Sequence, residues 1–468
     1  MERHRSVAGV LLSLALLAGC GPTILAGTPP PESGSPEPDI RPQSCVYQWC
    51  SGSIGGSEYL VQMPVQWNGT LVLFTQGFYR VYAKPASGRP VPVLSAPLSS
   101  VAAALRDQGF AVAGGTYAWG GWSPDRSVTA MEATYQYVES HVARPARVYA
   151  WGVSMGGLAA EMLAERHPDW VTASAAVCGV LGGTIRFFDL DLDAAYAVRQ
   201  LLLPSLQLTG FRSYADAARA TAPVAAVLHA AATGPPDRRA MLLLVAALID
   251  APTVTDRADG ATAQSRLLAV AQGVGTALAY SGVPRWELGA RFGGEIASNV
   301  GVDYAARLDA RERREIEALA PGVLPRALRA LGAGSRVRAN PVARATAARD
   351  LGLTGAISVP TLTLHTADDP VVAVQHEAAF GAEVTAADRG DLLVQLVTRP
   401  PAVWTTPRAP YGAGHCRFSH EDYLGLITLL DGWVRSGVRP GSAAIGAAIG
   451  PASGLALDFR IPPWPADG

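Results

Sequence analysis

A serine, a histidine and an aspartate, each standing just beyond an apolar run, are the side chains of this sequence best placed to do chemistry. Ser154 sits in Gly152-Val-Ser154-Met-Gly156, after the run Arg147-Val-Tyr-Ala-Trp151 and before a helix-like stretch over 157–168. A strand-to-helix turn of this kind lifts a hydroxyl above the edge of a sheet, and a side chain at 152 or 156 would crowd it. The pentapeptide says little by itself in a chain with 49 glycines, but its flanking strand and helix make it specific. A serine hydroxyl becomes nucleophilic only when a neighbouring base removes its proton, and the base needs an acid to fix its tautomer.

Eight histidines compete for the base. His4 lies in the leader. His141, His167 and His229 fall in helical or helix-end patterns, His376 and His420 in or beside helices, and His365 on a strand, as a core or supporting group. His415 differs. It stands in Tyr411-Gly-Ala-Gly-His415-Cys-Arg-Phe-Ser419, a glycine-rich loop between the last expected strand and a helix over 421–435, from which an imidazole can reach across to the serine. The acid is Asp368 or Asp369, in Leu364-His-Thr-Ala-Asp-Asp369-Pro370 directly after another strand.

The elements that must position these groups follow from periodicity. Apolar runs at 59–63, 70–75, 111–114, 148–151, 173–178, 361–365 and 394–398 have the length of buried strands. Helical stretches at 98–108, 129–142 and 158–166 separate several of them. Alternation of this kind predicts an α/β protein with a mostly parallel, doubly wound sheet. Ligands of such sheets gather beyond the carboxyl ends of the strands, where Ser154 lies. From 185 to 350 the alternation stops, and an Ala/Leu/Arg-rich segment reads as a large helical cap inserted into the core of 44–184 and 351–440. Its stretch 239–250 is apolar nearly all round, so it should be buried, and it is too short to span a membrane. Residues 441–468 read as a surface extension. Trp119 and Trp122, beyond the strand at 111–114, suit either a substrate-binding wall or core packing.

Composition suits a large globular body, with 49% hydrophobic and 16% charged residues and a formal net charge of -1. That balance gives no electrostatic case for nucleic acid. Neither Cys/His metal spacing nor a G-x-G-x-x-G after a first strand occurs, so no metal and no cofactor are expected. Residues 1–19 have the basic start and short apolar stretch of an export signal. Its end, Leu17-Ala-Gly-Cys20, resembles a bacterial lipobox, which implies lipid on Cys20 and a cell-envelope lipoprotein; cleavage near Ala18 would instead give a fully secreted protein. Residues 20–43 are Pro/Gly/Ser-rich and read as a flexible tether. Of the five cysteines, the four after Cys20 are an even number for an oxidising compartment. Cys45 and Cys50 are local and should pair, which leaves Cys178 for Cys416.

From about residue 57 to 437, outside the cap, the chain resembles serine hydrolases of the α/β-hydrolase superfamily, in particular exported bacterial esterase-like members. The resemblance is carried by Trp67-Asn-Gly-Thr-Leu-Val-Leu, the G-x-S-x-G-G elbow, Asp369-Pro and Gly414-His-Cys. It implies a triad in the order Ser154, Asp369, His415, with Asp369 preferred over Asp368 because it directly precedes Pro-hydrophobic-Val. It also implies an oxyanion hole from the backbone N–H groups of Met155 and Phe78, although Gln76-Gly77 stands where the family commonly has His-Gly. Tannase and feruloyl esterase relatives pair the cysteine after the histidine with one before the serine, a place held here by Val153. The implied activity is cleavage of a small-molecule or polymer ester through an acyl-enzyme. A peptidase or amidase with the same triad is the alternative among enzymes, and a noncatalytic binding lipoprotein on this scaffold is the alternative outside them.

Overall fold

The computed structural model describes residues 44–46, 48–79, 91–118 and 120–465. The proposed signal, Cys20, the tether and Trp119 lie outside the described residues. Along the chain come β1 (Ser44–Val46), β2 (Trp49–Ile54), β3 (Ser57–Gln62), β4 (Thr70–Thr75), α1 (Ser99–Asp107), β5 (Ala111–Gly115), α2 (Pro124–His141), β6 (Arg147–Val153), α3 (Met155–Arg166) and β7 (Ala173–Val177). Nine helices follow: α4 (Gly183–Leu201), α5 (Tyr214–Thr221), α6 (Val224–Thr233), α7 (Pro236–Leu248), α8 (Ala263–Ala277), α9 (Val283–Phe292), α10 (Ala310–Leu319), α11 (Val323–Ala333) and α12 (Pro341–Asp350). The chain then returns to the sheet through β8 (Thr361–Thr366), α13 (Gln375–Ala386), β9 (Leu393–Thr398), α14 (His420–Ser436) and α15 (Ser442–Ala448).

The nine strands form one sheet in the order β1-β2-β3-β5-β4-β6-β7-β8-β9. The β1–β2, β2–β3 and β3–β5 pairings are antiparallel, and every pairing from β5 to β9 is parallel. Parallel strands covered on both faces read as unbroken apolar runs, and β4, Thr-Leu-Val-Leu-Phe-Thr, is buried at all six positions. Alternate residues of the strands feed two cores. Leu71, Leu73, Ala113 and Ala150 meet α2 and α3, while Val72, Phe74, Val112 and Trp151 meet α1 and α14. The helices are started by local chemistry: Pro124 opens α2, and Ser419 with Asp422 forms a capping box on α14. Gly437 ends α14 in the left-handed region, at φ 69°. This sheet, with a serine elbow between β6 and α3, is the α/β-hydrolase fold that the motifs imply.

Between β7 and β8 the cap builds an apolar core of its own around α7, whose Leu242, Leu244, Val245 and Leu248 are buried among α4, α8, α10 and α11. Among the described residues no helix is long and apolar enough to cross a membrane. One feature departs from the sequence reading. The hairpin β1–β2, absent from the expected strands, extends the sheet edge and sets Cys45 directly across from Cys50. The tail runs mostly over the surface and is tied down at a few points. Ile445 and Ile449 of the α15 region are buried in the α14 core, Gly450 N–H and Ser453 Oγ donate to Asp422, and Leu455 bridges to Thr398.

Candidate active site

At the end of β6 the chain must reverse into α3 within one residue, and Ser154 takes that position at φ 59° and ψ -129°. A non-glycine residue at positive φ stores strain that the surroundings must overcome. Here the surroundings are two glycines and a threonine. A Cβ at 152 would overlap Thr75 Oγ1 and Gly156 O, and one at 156 would overlap Thr75 O and Gln76. Thr75 Oγ1 donates to Gly156 O at 2.5 Å, and Ser154 N–H donates to Val177 O at 2.9 Å, so β4 and β7 brace the turn from either side.

The structure brings the three widely separated side chains together. His415 Nε2 lies 2.8 Å from Ser154 Oγ, and His415 Nδ1 lies 2.8 and 3.0 Å from the two carboxylate oxygens of Asp369. Asp369 is fully buried. Its Oδ1 also accepts the N–H groups of Val371 at 2.8 Å and Val372 at 2.9 Å. Burial works to raise its carboxyl, but the charge and hydrogen bonding of His415, with His365 and the Val372 N–H, outweigh that and hold it below the usual carboxylate range. Asp368 points elsewhere. Its N–H donates to Thr366 Oγ1, and burial pushes its carboxyl up to about 6.

His415 needs a held loop, and two ties hold it. Cys178, just past β7, and Cys416 form a disulfide with Cα atoms 5.4 Å apart, and Tyr423 of α14 donates its hydroxyl to Cys416 O at 2.5 Å. Both cysteines take positive φ, 45° and 49°. Among the described residues, the potential metal-ligand group is Cys178, His415 and Cys416, and the disulfide takes both thiols out of it.

Met155 opens α3 directly after the serine. Its N–H, like the other first-turn N–H groups of a helix, has no partner within the helix and is free to meet a developing negative charge. The Gln76-Gly77-Phe78 turn after β4 runs against the nucleophile: a Cβ on Gly77 would sit 3.2 Å from Ser154 Cβ. That contact brings the turn that carries Phe78 up against the nucleophile. The Phe78 ring meets the cap, 5.5 Å from Tyr280 and 6.2 Å from Trp122. Trp122 is buried, stacks on Phe187 at 4.6 Å and donates Nε1–H to Thr184, so it joins cap to core and is no open substrate wall.

The helical segment between β7 and β8 reaches the His415 loop. Val254 packs with Ala409 and Ala413 of the His415 loop. A narrow cavity of about 30 Å³ lies between Phe187, Leu190, Asp191 and Pro252 of the cap and the Asp369–Val371 segment of the core, on the Asp369 side of the triad and not lined by Ser154 or His415. Phe187, Tyr280 and Asp191 escaped the sequence reading. An aromatic inside a helical insertion carries no local mark of the loop it will face.

No family model matches the sequence, and no curated protein matches it. Solved structures that the chain is similar to include feruloyl esterase B from Aspergillus oryzae, at 13% identity, covering 84% of this chain and 81% of that one, with a TM-score of 0.36. Proline iminopeptidase from Mycobacterium smegmatis aligns at 13% identity over 83% of this chain and all (100%) of the other, with a TM-score of 0.34. A puromycin-hydrolyzing peptidase of Mycobacterium tuberculosis aligns at 14% identity over 80% of this chain, with a TM-score of 0.33, and the match spans only 37% of that peptidase's length. All three scores lie below 0.5, so the functional reading rests on the geometry of the site.

Proposed function

We propose that the protein is an exported serine hydrolase that cleaves a carboxylic ester through an acyl-enzyme. The observation that carries this reading is the continuous hydrogen-bonded line from Ser154 Oγ through His415 to the buried, ionised Asp369. In the first half-reaction Ser154 Oγ attacks the ester carbonyl carbon while His415 Nε2 takes its proton. The carbonyl oxygen gathers negative charge opposite the N–H groups of Met155 and Phe78, donors of a kind worth about 3 kcal/mol each. His415 then returns the proton to the departing alcohol. Water repeats the sequence on the acyl-enzyme to release the acid. Asp369 stays ionised throughout, holding the His415 Nδ1 proton and stabilising the imidazolium. Lipid on Cys20, followed by the tether over 20–43, would hold this activity at a membrane surface.

A fluorophosphonate probe should label Ser154, and p-nitrophenyl esters should turn over, with Ser154→Ala losing roughly a millionfold. A wild-type protein that neither labels nor turns over any ester or aminoacyl amide would return the chain to the binding-lipoprotein reading. Faster turnover of the amides than of matched esters would make it a peptidase.

A further inference from the structure

One face of β8 is polar although it is fully buried. Thr361, Thr363 and His365 alternate along it, while Leu362 and Leu364 face the opposite core. Two helices bring carboxylates to this layer. Glu161 of α3 accepts from Ser174 Oγ at 2.9 Å, and Ser174 lies 2.9 Å from Thr361 Oγ1. Glu377 of α13 accepts from Thr363 Oγ1 at 2.6 Å and from Gln395 Nε2 at 2.7 Å, both on its Oε2. Its Oε1 faces His365 Nδ1 at 3.2 Å.

The other nitrogen of His365 settles its own role. Nε2 lies 2.9 Å from Val372 O, and a carbonyl oxygen only accepts, so Nε2 carries a hydrogen. The same nitrogen is 3.6 Å from Asp369 Oδ2. His365 is therefore wedged between two buried carboxylates, Glu377 behind and Asp369 in front, and its bond to Val372 pins the loop whose N–H groups hold Asp369. We propose that Glu377 keeps His365 doubly protonated behind Asp369, and that this buried pair is a positioning device for the triad acid. The line of groups then runs Ser154, His415, Asp369, His365, Glu377.

This inference rests on the hydrolase reading for its consequence but not for its geometry. The Glu377 hydrogen bond and the charges of Asp369 and Glu377 raise His365 against the downward pull of burial. Beside it on α13 stands His376, which burial, with the charges of His365 and Arg186, drives down to about 3, so it adds no charge at neutral pH. From α3, Glu161 couples to Glu377, and burial pushes it up to about 8. A positive charge behind Asp369 competes with His415 for the same carboxylate, so removing that charge strengthens the hold of Asp369 on His415.

Two measurements test this. Nitrogen-15 spectra of the histidine-labelled wild-type protein should show both ring nitrogens of His365 protonated at pH 7, and Glu377→Gln should lower the pH at which Nδ1 loses its proton. An unprotonated Nδ1 in the wild type overturns the proposal, with no variant needed. His365→Gln keeps an N–H donor for Val372 but removes the charge. It should reduce kcat/KM by about tenfold to a hundredfold and move the acid limb of its pH profile up by about one pH unit. An acid limb in the wild-type position, in a variant that still melts cooperatively near the wild-type temperature, overturns it as well. Failure of the hydrolase reading looks different: Ser154 stays unlabelled while the His365 spectrum is as expected.

Discussion

Replacing Glu161 by glutamine should stabilise the protein at neutral pH, and the amount follows from its surroundings. Glu161 is fully buried on α3, one oxygen accepts from Ser174 Oγ and the other has no hydrogen-bond partner. Burial pushes its carboxyl from 4.5 to about 8, against the Ser174 hydrogen bond and with help from Glu165 and Glu377. A carboxyl raised on folding binds its proton more tightly in the folded state. It therefore favours folding fully below about pH 4.5 and loses that contribution progressively until the folded group itself ionises near pH 8. At 1.36 kcal/mol per pH unit, the loss between pH 4.5 and pH 7 is about 3 kcal/mol. Glutamine does not titrate and keeps both a donor and an acceptor for Ser174. The stability difference between variant and wild type should therefore grow by about 3 kcal/mol, in the variant's favour, from pH 4.5 to pH 7. Denaturant titrations at half-unit pH intervals, compared at equal m-value, measure this. Parallel stability profiles for the two proteins over that window would show that Glu161 is not protonated in the fold, and the reasoning from burial would fail.

Three further outcomes are expected. Asp369→Asn should lower kcat about ten-thousandfold by leaving His415 in the wrong tautomer, whereas Asp368→Asn should stay within a few-fold of wild type in the same ester assay. Removing the disulfide with Cys178→Ala and Cys416→Ala frees a loop closed over a sequence separation of 238 residues. That should lower stability by up to about 5 kcal/mol and reduce kcat with KM little changed; an unchanged kcat would mean that Tyr423 and the loop itself hold His415. Cys20→Ala should shift the protein from the membrane fraction to the soluble one, and mass spectrometry of the N-terminal peptide reports the lipid directly.

The parts of the site legible in the sequence are those where backbone geometry restricts the residue type. Gly152 and Gly156 have no room for a side chain, so the elbow shows in one dimension. The His415 loop is legible for the same reason, since Gly412 and Gly414 take φ of 79° and 139°. The β1–β2 hairpin is not. Its Trp-Cys-Ser-Gly-Ser-Ile strand mixes exposed and buried positions at a sheet edge and shows no apolar run. The cap could be read as helical but not docked, because the placement of Tyr280 against Phe78 and of Phe187 against Trp122 is set by tertiary packing alone.

The hidden part is the polar layer under β8, and its position explains why. Thr-Leu-Thr-Leu-His-Thr reads as a buried strand, yet its polar half is satisfied from helices before and after it in the chain, through Glu161 and Glu377. Buried carboxylates disfavour folding unless each is paired or protonated. Apolar residues on that face would give a more stable sheet and would leave Asp369 without the His365 ring behind it. In place of that simpler core, the chain sets a histidine 3.6 Å behind the acid that its nucleophile depends on. A stability penalty concentrated beneath one aspartate is accounted for if that aspartate must be held ionised and still, and the Glu161 and His365 variants separate the two sides of the exchange: the first should gain stability with activity intact, the second should lose activity with the fold intact.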